Sequence, residues 1–132
     1  MRQSIILLPS TGTEVNVVGL PIKAAGYYGS GMNLYTLAYY LNNFSGRIYL
    51  QGSLASNPEE DDWFPINLNG YLEYIEFLPM PPDLSGNTGI TTVFTDSFEA
   101  NLVHIRAIVD RSTLPNPDTT DYGQVSKILI NF

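Results

Sequence analysis

Gly46-Arg47-Ile48-Tyr49-Leu50-Gln51-Gly52-Ser53-Leu54-Ala55-Ser56-Asn57-Pro58-Glu59-Glu60-Asp61-Asp62-Trp63-Phe64-Pro65-Ile66 reads as a strand, a polar acidic loop and a second strand. Ile48, Leu50 and Leu54 alternate with Tyr49, Gln51 and Ser53, the two-residue period of a half-buried strand. Ser56-Asn57-Pro58 breaks the chain, and four consecutive carboxylates hold the loop in water. Trp63, Phe64 and Ile66 restart apolar packing, and Pro65 marks an edge or a bulge. This pattern belongs to a β-sandwich, where function lies in oligomerisation or surface recognition more often than in catalysis.

The same rhythm extends outward. Ser4 to Leu8 reads as a short buried strand, turned by Pro9-Ser10-Thr11-Gly12, with Glu14 to Val18 returning and Pro21 to Ala25 continuing toward a glycine-tyrosine loop at Gly26 to Gly31. Over Asn33 to Leu41, Leu34, Leu37, Ala38 and Leu41 fit a helical stripe, and Tyr35, Leu37, Tyr39 and Leu41 fit a strand face. Tyr and Thr content and the adjacent Asn42-Asn43 turn favour the strand. Leu72 to Leu78, Ile90 to Thr95, Asn101 to Val109 and Val125 to Phe132 complete eight or nine strands, with Ser97-Phe98-Glu99 leading into the Asn101 strand. The Asn101 segment places Asn101, Val103, Ile105, Ala107 and Val109 on one face, and Leu102, His104, Arg106 and Ile108 on the other. Pro- and Asp-rich stretches near 79–89 and 113–123 are long loops. Without a long helix, a heptad or a repeat, the expected fold is all-β: one antiparallel sandwich or jelly roll of about eight strands spanning 1–132. Its expected core includes Leu50, Val103, Ile105, Ala107, Val109 and Ile128.

Composition narrows the function classes. The 132 residues fit one domain. Charged residues make up 14% of the chain, against roughly a quarter in a typical globular protein. The surface is therefore mostly uncharged and polar, cheap to desolvate, and suited equally to lasting protein contacts and to plain solvated loops. The net charge is −7; residues 1–58 hold one acid, Glu14, and the other twelve follow. An acidic chain without a basic stripe repels phosphate backbones, which argues against nucleic acid. With no cysteine, disulfides, zinc–thiolate sites and thiol catalysis are excluded. Ile5 to Leu8 is too short for a signal core or a membrane span, so the expectation is a protein made in a cytoplasm without an export signal of its own and without a membrane partner.

Catalytic patterns are not found. The single histidine, His104, lies mid-strand, where a packed residue is the ordinary reading. Glu73 and Glu76 point to opposite faces of a strand, a poor arrangement for glycoside hydrolysis. Glu59 to Asp62 offer hard oxygen ligands, but without the alternating spacing that wraps one ion; a solvated loop with no metal is expected. Tyr27, Tyr28, Tyr35, Tyr39, Tyr40 and Trp63 can stack on sugars or a protein partner, or simply pack between strands. Of these, Tyr27, Tyr28 and Trp63 are the candidate contact residues for protein or glycan.

Several blocks carry a resemblance. Ile5 to Thr11, Ala24 to Gly29 through Leu34 to Tyr40, the Gly46-to-Ile66 hairpin and the ending Val125 to Phe132 resemble small virion structural proteins of T4-like tailed phages infecting cyanobacteria. The resemblance implies a non-enzymatic subunit in the virion, decorating or accessory to capsid, neck or tail. It also implies other virion proteins as partners, a homo-oligomeric or lattice-bound multi-copy state, and no cofactor. Tyr49-Leu50-Gln51-Gly52-Ser53 and Trp63 also resemble discoidin-like carbohydrate-binding sandwiches, with the acidic loop as a departure. That implies an alternative, a carbohydrate-binding adhesion module on the particle.

Overall fold

The computed structural model describes residues 4–12, 14–29, 34–68, 72–118 and 120–132. These residues form ten strands: β1 Ser4–Leu8, β2 Asn16–Val18, β3 Ile22–Lys23, β4 Leu34–Phe44, β5 Gly46–Ser53, β6 Phe64–Pro65, β7 Tyr74–Phe77, β8 Ile90–Glu99, β9 His104–Asp110 and β10 Gln124–Asn131. A single 3-10 turn covers Glu60–Asp62. No helix among the described residues is long and apolar enough to cross a membrane.

The first sheet has the order β1-β10-β4-β8, and the second has β2-β9-β5-β6, with β3 also on β9 and β7 also on β5. All the pairs are antiparallel. Because β5 occupies one edge of β9 throughout, β2 and β3 share the other edge as one interrupted strand. By the same logic β6 and β7 form one interrupted strand along β5. Counted so, there are eight strands, four in the order 1-8-3-6 facing four in the order 2-7-4-5. That is a jelly roll, as the strand rhythm leads one to expect.

The sheets meet on their alternating apolar faces. Tyr35, Leu37, Tyr39, Leu41, Ile128 and Ile130 face Ile48, Leu50, Ile105, Ala107 and Val109, all buried. Ile105→Ala is expected to cost about 2–5 kcal/mol in a urea titration, through lost transfer energy and the cavity left behind. A loss under roughly 0.5 kcal/mol would mean that the interior tolerates a hole there.

Five local expectations need correction. Val103 is only half-buried; Leu102 is the buried residue, filling the space beside Gly52, which has no Cβ. The chain bends at Val103, so the inward phase begins only at Ile105. Leu54 is exposed because β5 ends at Ser53. Asn42-Asn43 is a bulge inside β4, with Asn43 at φ 52°, and not the turn. The turn is one residue, Ser45, which carries the chain from the first sheet to the second between Phe44 and Gly46. Ser97 to Glu99 belong to β8 and not to the approach to β9, and β1 is buried only at Leu7 and Leu8, with Ile6 exposed.

Among the described residues β1 and β8 are the edges of the first sheet, and β8 turns a carboxylate inward. Asp96 lies opposite Leu37 and beside buried Tyr39. An inward charge on an edge strand discourages edge-to-edge pairing. Burial raises the Asp96 carboxyl above the usual aspartate range, offset in part by the Ser97 N–H that donates to it at 2.8 Å. Burial, and then the Asp96 charge, raise the Tyr39 hydroxyl. A carboxyl whose folded pKa is raised stabilises fully below its unfolded pKa of about 3.9, and that contribution is lost as pH rises through the folded value. Asp96→Asn is therefore expected to melt higher than the parent at pH 7, the gap closing toward pH 3. A constant gap across that range would mean that the carboxyl titrates normally.

Candidate functional site

The outward residues of β9 and its neighbours build a patterned face on the second sheet. Strand register sets side-chain rows across it. Asn16, Asp110, Arg47 and Glu76 form one row, and Val18, Ile108, Tyr49 and Tyr74 the next. Arg106 and Gln51 follow, and then Lys23, His104 and Ser53.

Loops roof one end of this face. His104 Nδ1 lies 3.1 Å from the Ala55 carbonyl, and its ring meets Tyr27 edge-on at 5.7 Å. It is a packed strand residue. The Arg106 guanidinium lies 4.4 Å from the Trp63 ring centre, while Nε donates to Gln51 Oε1 at 2.8 Å and Nη1 to Glu60 Oε1 at 3.3 Å. Lys23 Nζ sits 4.5 Å from the Tyr27 ring centre. At the other end Arg47 stacks on Tyr74 at 4.3 Å and bonds Glu76 at 2.6 Å. Solvent screens such a pair; its effect here is to fix two side chains and cancel their charges.

Tyr27 and Tyr28 meet edge to face at 5.5 Å, both exposed. Trp63 stands apart from them on Arg106, two residues along β9 from His104. The three candidate residues therefore border one sheet face without forming a single cluster. Tyr35 and Tyr39 are core residues, and Tyr40 lies under Lys127 on the first sheet. Tyr49, Tyr74, Gln51 and Asp110 are further residues of the face. For Tyr49 and Gln51 the signal was their outward phase against Ile48 and Leu50.

Glu59 to Asp62 are exposed, and Glu60 keeps 88% of its side chain in solvent. Glu59 is extended, and Glu60 to Asp62 turn back on it. The Glu59 N–H donates to Asp62 Oδ2 at 2.8 Å, and the Glu59 side chain caps the Asp62 N–H in return. Two of the four carboxylates are thus spent on the turn itself. Among the described residues no three His, Asp or Glu side chains gather as metal ligands. Millimolar calcium followed by excess chelator is expected to leave the melting temperature unchanged; a shift of several degrees would identify a structural cation here.

Two grooves flank these elements. One, of about 400 Å³, separates β1 from β2 and β3 and is bordered by Ile6, Val18, Leu20, Pro21 and Ile22. Ile6, Val18 and Leu20 are 56%, 58% and 82% exposed. The other, of about 370 Å³, lies over Ile108 on the outer face of the second sheet. Compared with known proteins, the chain matches no family model, no curated protein and no solved structure.

Proposed function

We propose that this chain is a non-enzymatic virion structural protein of a tailed phage, a decoration or accessory subunit of capsid, neck or tail that works in many copies. The observation that carries this reading is the aliphatic groove between β1 and the β2–β3 edge. There Ile6, Val18 and Leu20 stand in solvent on one side of the sandwich, next to the unpaired backbone edge of β1. Contiguous exposed apolar surface marks contact sites, and an edge strand without charged side chains can accept a neighbour. The jelly roll supports the reading by analogy only: it recurs in viral capsid proteins, and equally in lectins and cupins. The low charged fraction favours surfaces that desolvate cheaply on assembly.

Mass spectrometry of purified particles should find the chain at high copy number, and sedimentation should find the isolated protein self-associating or binding particles that lack it. A strict monomer absent from every purified particle would overturn the reading. The adhesion alternative concerns the outer face of the second sheet and is compatible with the same place on a particle.

A further inference from the structure

The groove over Ile108 is chemically two-sided. Its floor and walls are apolar, made by Val18 and Ile108 with Tyr49 standing beside them. The Tyr49 ring is fixed by Tyr74, 5.4 Å away and tilted by 52°. Asn16, Asp110 and Ser112 supply polar groups on β2, β9 and the turn after it, and Gln51 supplies an amide on β5. These groups are already oriented. Asp110 Oδ1 accepts from the Ser112 N–H at 2.8 Å and the Ser112 hydroxyl at 2.6 Å. With its amide turned to match its neighbours, Asn16 donates to the same oxygen at 2.8 Å. Gln51 gives its carbonyl oxygen to Arg106, which directs its NH2 group away from that partner.

We propose that this groove binds a neutral saccharide. A sugar ring has a C–H face and a rim of hydroxyls. The C–H face suits the electron-rich face of Tyr49 and the Ile108 floor. The hydroxyls need an acceptor and a donor held rigid in advance, and the second Asp110 oxygen and the Gln51 NH2 supply them. The charge balance selects against ionic ligands. Lys23, Arg47 and Arg106 on this face are met by Glu60, Glu76 and Asp110, with two direct ion pairs among them. The acidic turn at Glu59 to Asp62 adds further negative charge beside it, so a polyanion is repelled. The groove volume lies within the roughly 300–1,000 Å³ of small-molecule sites. An open groove of this kind holds weakly, and many copies on one surface raise avidity by about 10²–10⁴. The inference rests on the adhesion alternative, to which it gives a site and a ligand class, and the binding chemistry itself needs only the single groove.

The test is an NMR titration of the intact isotope-labelled protein with neutral oligosaccharides of glucose, galactose and mannose, alongside uronic-acid and glucosamine oligomers. Neutral chains are expected to shift amide resonances of β2, β5 and β9. Tyr49→Ala and Gln51→Ala should each weaken association about tenfold or more. Tyr40→Ala, on the first sheet, should change nothing, and melting curves should show all three variants folded. The proposal is overturned if no neutral oligosaccharide binds, if the acidic or amino series binds better, or if folded Tyr49→Ala binds like the parent. Particle composition is read separately, so failure here leaves the virion reading standing and its failure leaves this one.

Discussion

Arg111→Met should lower stability by about 3–5 kcal/mol, although methionine nearly preserves the volume. Arg111 is 2% exposed, just past the end of β9. Its guanidinium donates to the Gly12 carbonyl at 2.9 Å, to Thr11 Oγ1 at 3.2 Å and to the Gly123 carbonyl. Its stem packs beneath Gly46, where a Cβ would collide with it, and its head lies over the Phe44 ring. One side chain thus joins the loop after β1, the loop before β10 and the corner between β4 and β5. Methionine removes the guanidinium from the Gly123 carbonyl, leaves the Gly12 carbonyl only the Thr11 hydroxyl at 3.3 Å, and leaves Thr11 Oγ1 the Val125 N–H; an acceptor left dry costs about 1–3 kcal/mol. Burial already lowers the guanidinium pKa, with Asp121 acting in the opposite direction, so the charge is retained at a cost. Arg111→Lys should recover only part of the loss, because one ammonium cannot span the fork. A urea midpoint for Arg111→Met within about 1 kcal/mol of the parent would show that water replaces the guanidinium.

Gly123→Ala should be comparably damaging, on the order of 10 °C in melting temperature. Gly123 has φ +73°, and a methyl group there would overlap the carbonyl oxygens of Asn42 and Asn43. Both are backbone atoms, held by the bulge in β4 against β10 and β8. Gly89 crowds Asn43 from the other neighbour strand, and its N–H donates to Asn43 Oδ1 at 2.9 Å. The bulge is gripped on both sides and cannot retreat. A Gly123→Ala protein melting within a degree or two of the parent would show that the grip is loose.

Much of this was legible from period and punctuation. Ser4–Leu8 matches its expected limits, and the ambiguous Asn33-to-Leu41 segment, of which Asn33 lies outside the described residues, is strand from Leu34 onward. The Gly26-to-Gly31 loop is a turn as far as Gly29, and its last two residues also fall outside the described set. What period cannot carry is partnership. Nothing local in Val125 to Phe132 says that it lies between β1 and β4. Leu102 rather than Val103 is inside because Gly52, fifty residues away, leaves room. Arg111, flanked by Asp110 and Ser112, looks like a solvated turn residue; only the converging carbonyls of distant loops make it interior. The face candidates were half legible: the aromatics stood out by type, and Tyr49 and Gln51 only by phase.

The position of β10 also governs the order in which the molecule can be made. It fills the gap between β1 and β4, bonding Ser4 to Asn131 on one side and Tyr39 to Ile128 on the other. Until residues 124–131 are available, β1 has no neighbour in this sheet, and an empty lane separates it from the β4–β8 pair. Progressive assembly during synthesis therefore stalls at the second sheet, whose members are all complete by Asp110. Closing the lane joins β10 to β1 residues more than a hundred positions away and to β4 residues more than eighty away, the kind of contact that slows folding to the millisecond-to-second range. A ribosome-bound chain that has not yet released β10 would display the bare flanks of β1 and β4 to its neighbours, so crowding during that interval favours misassembly.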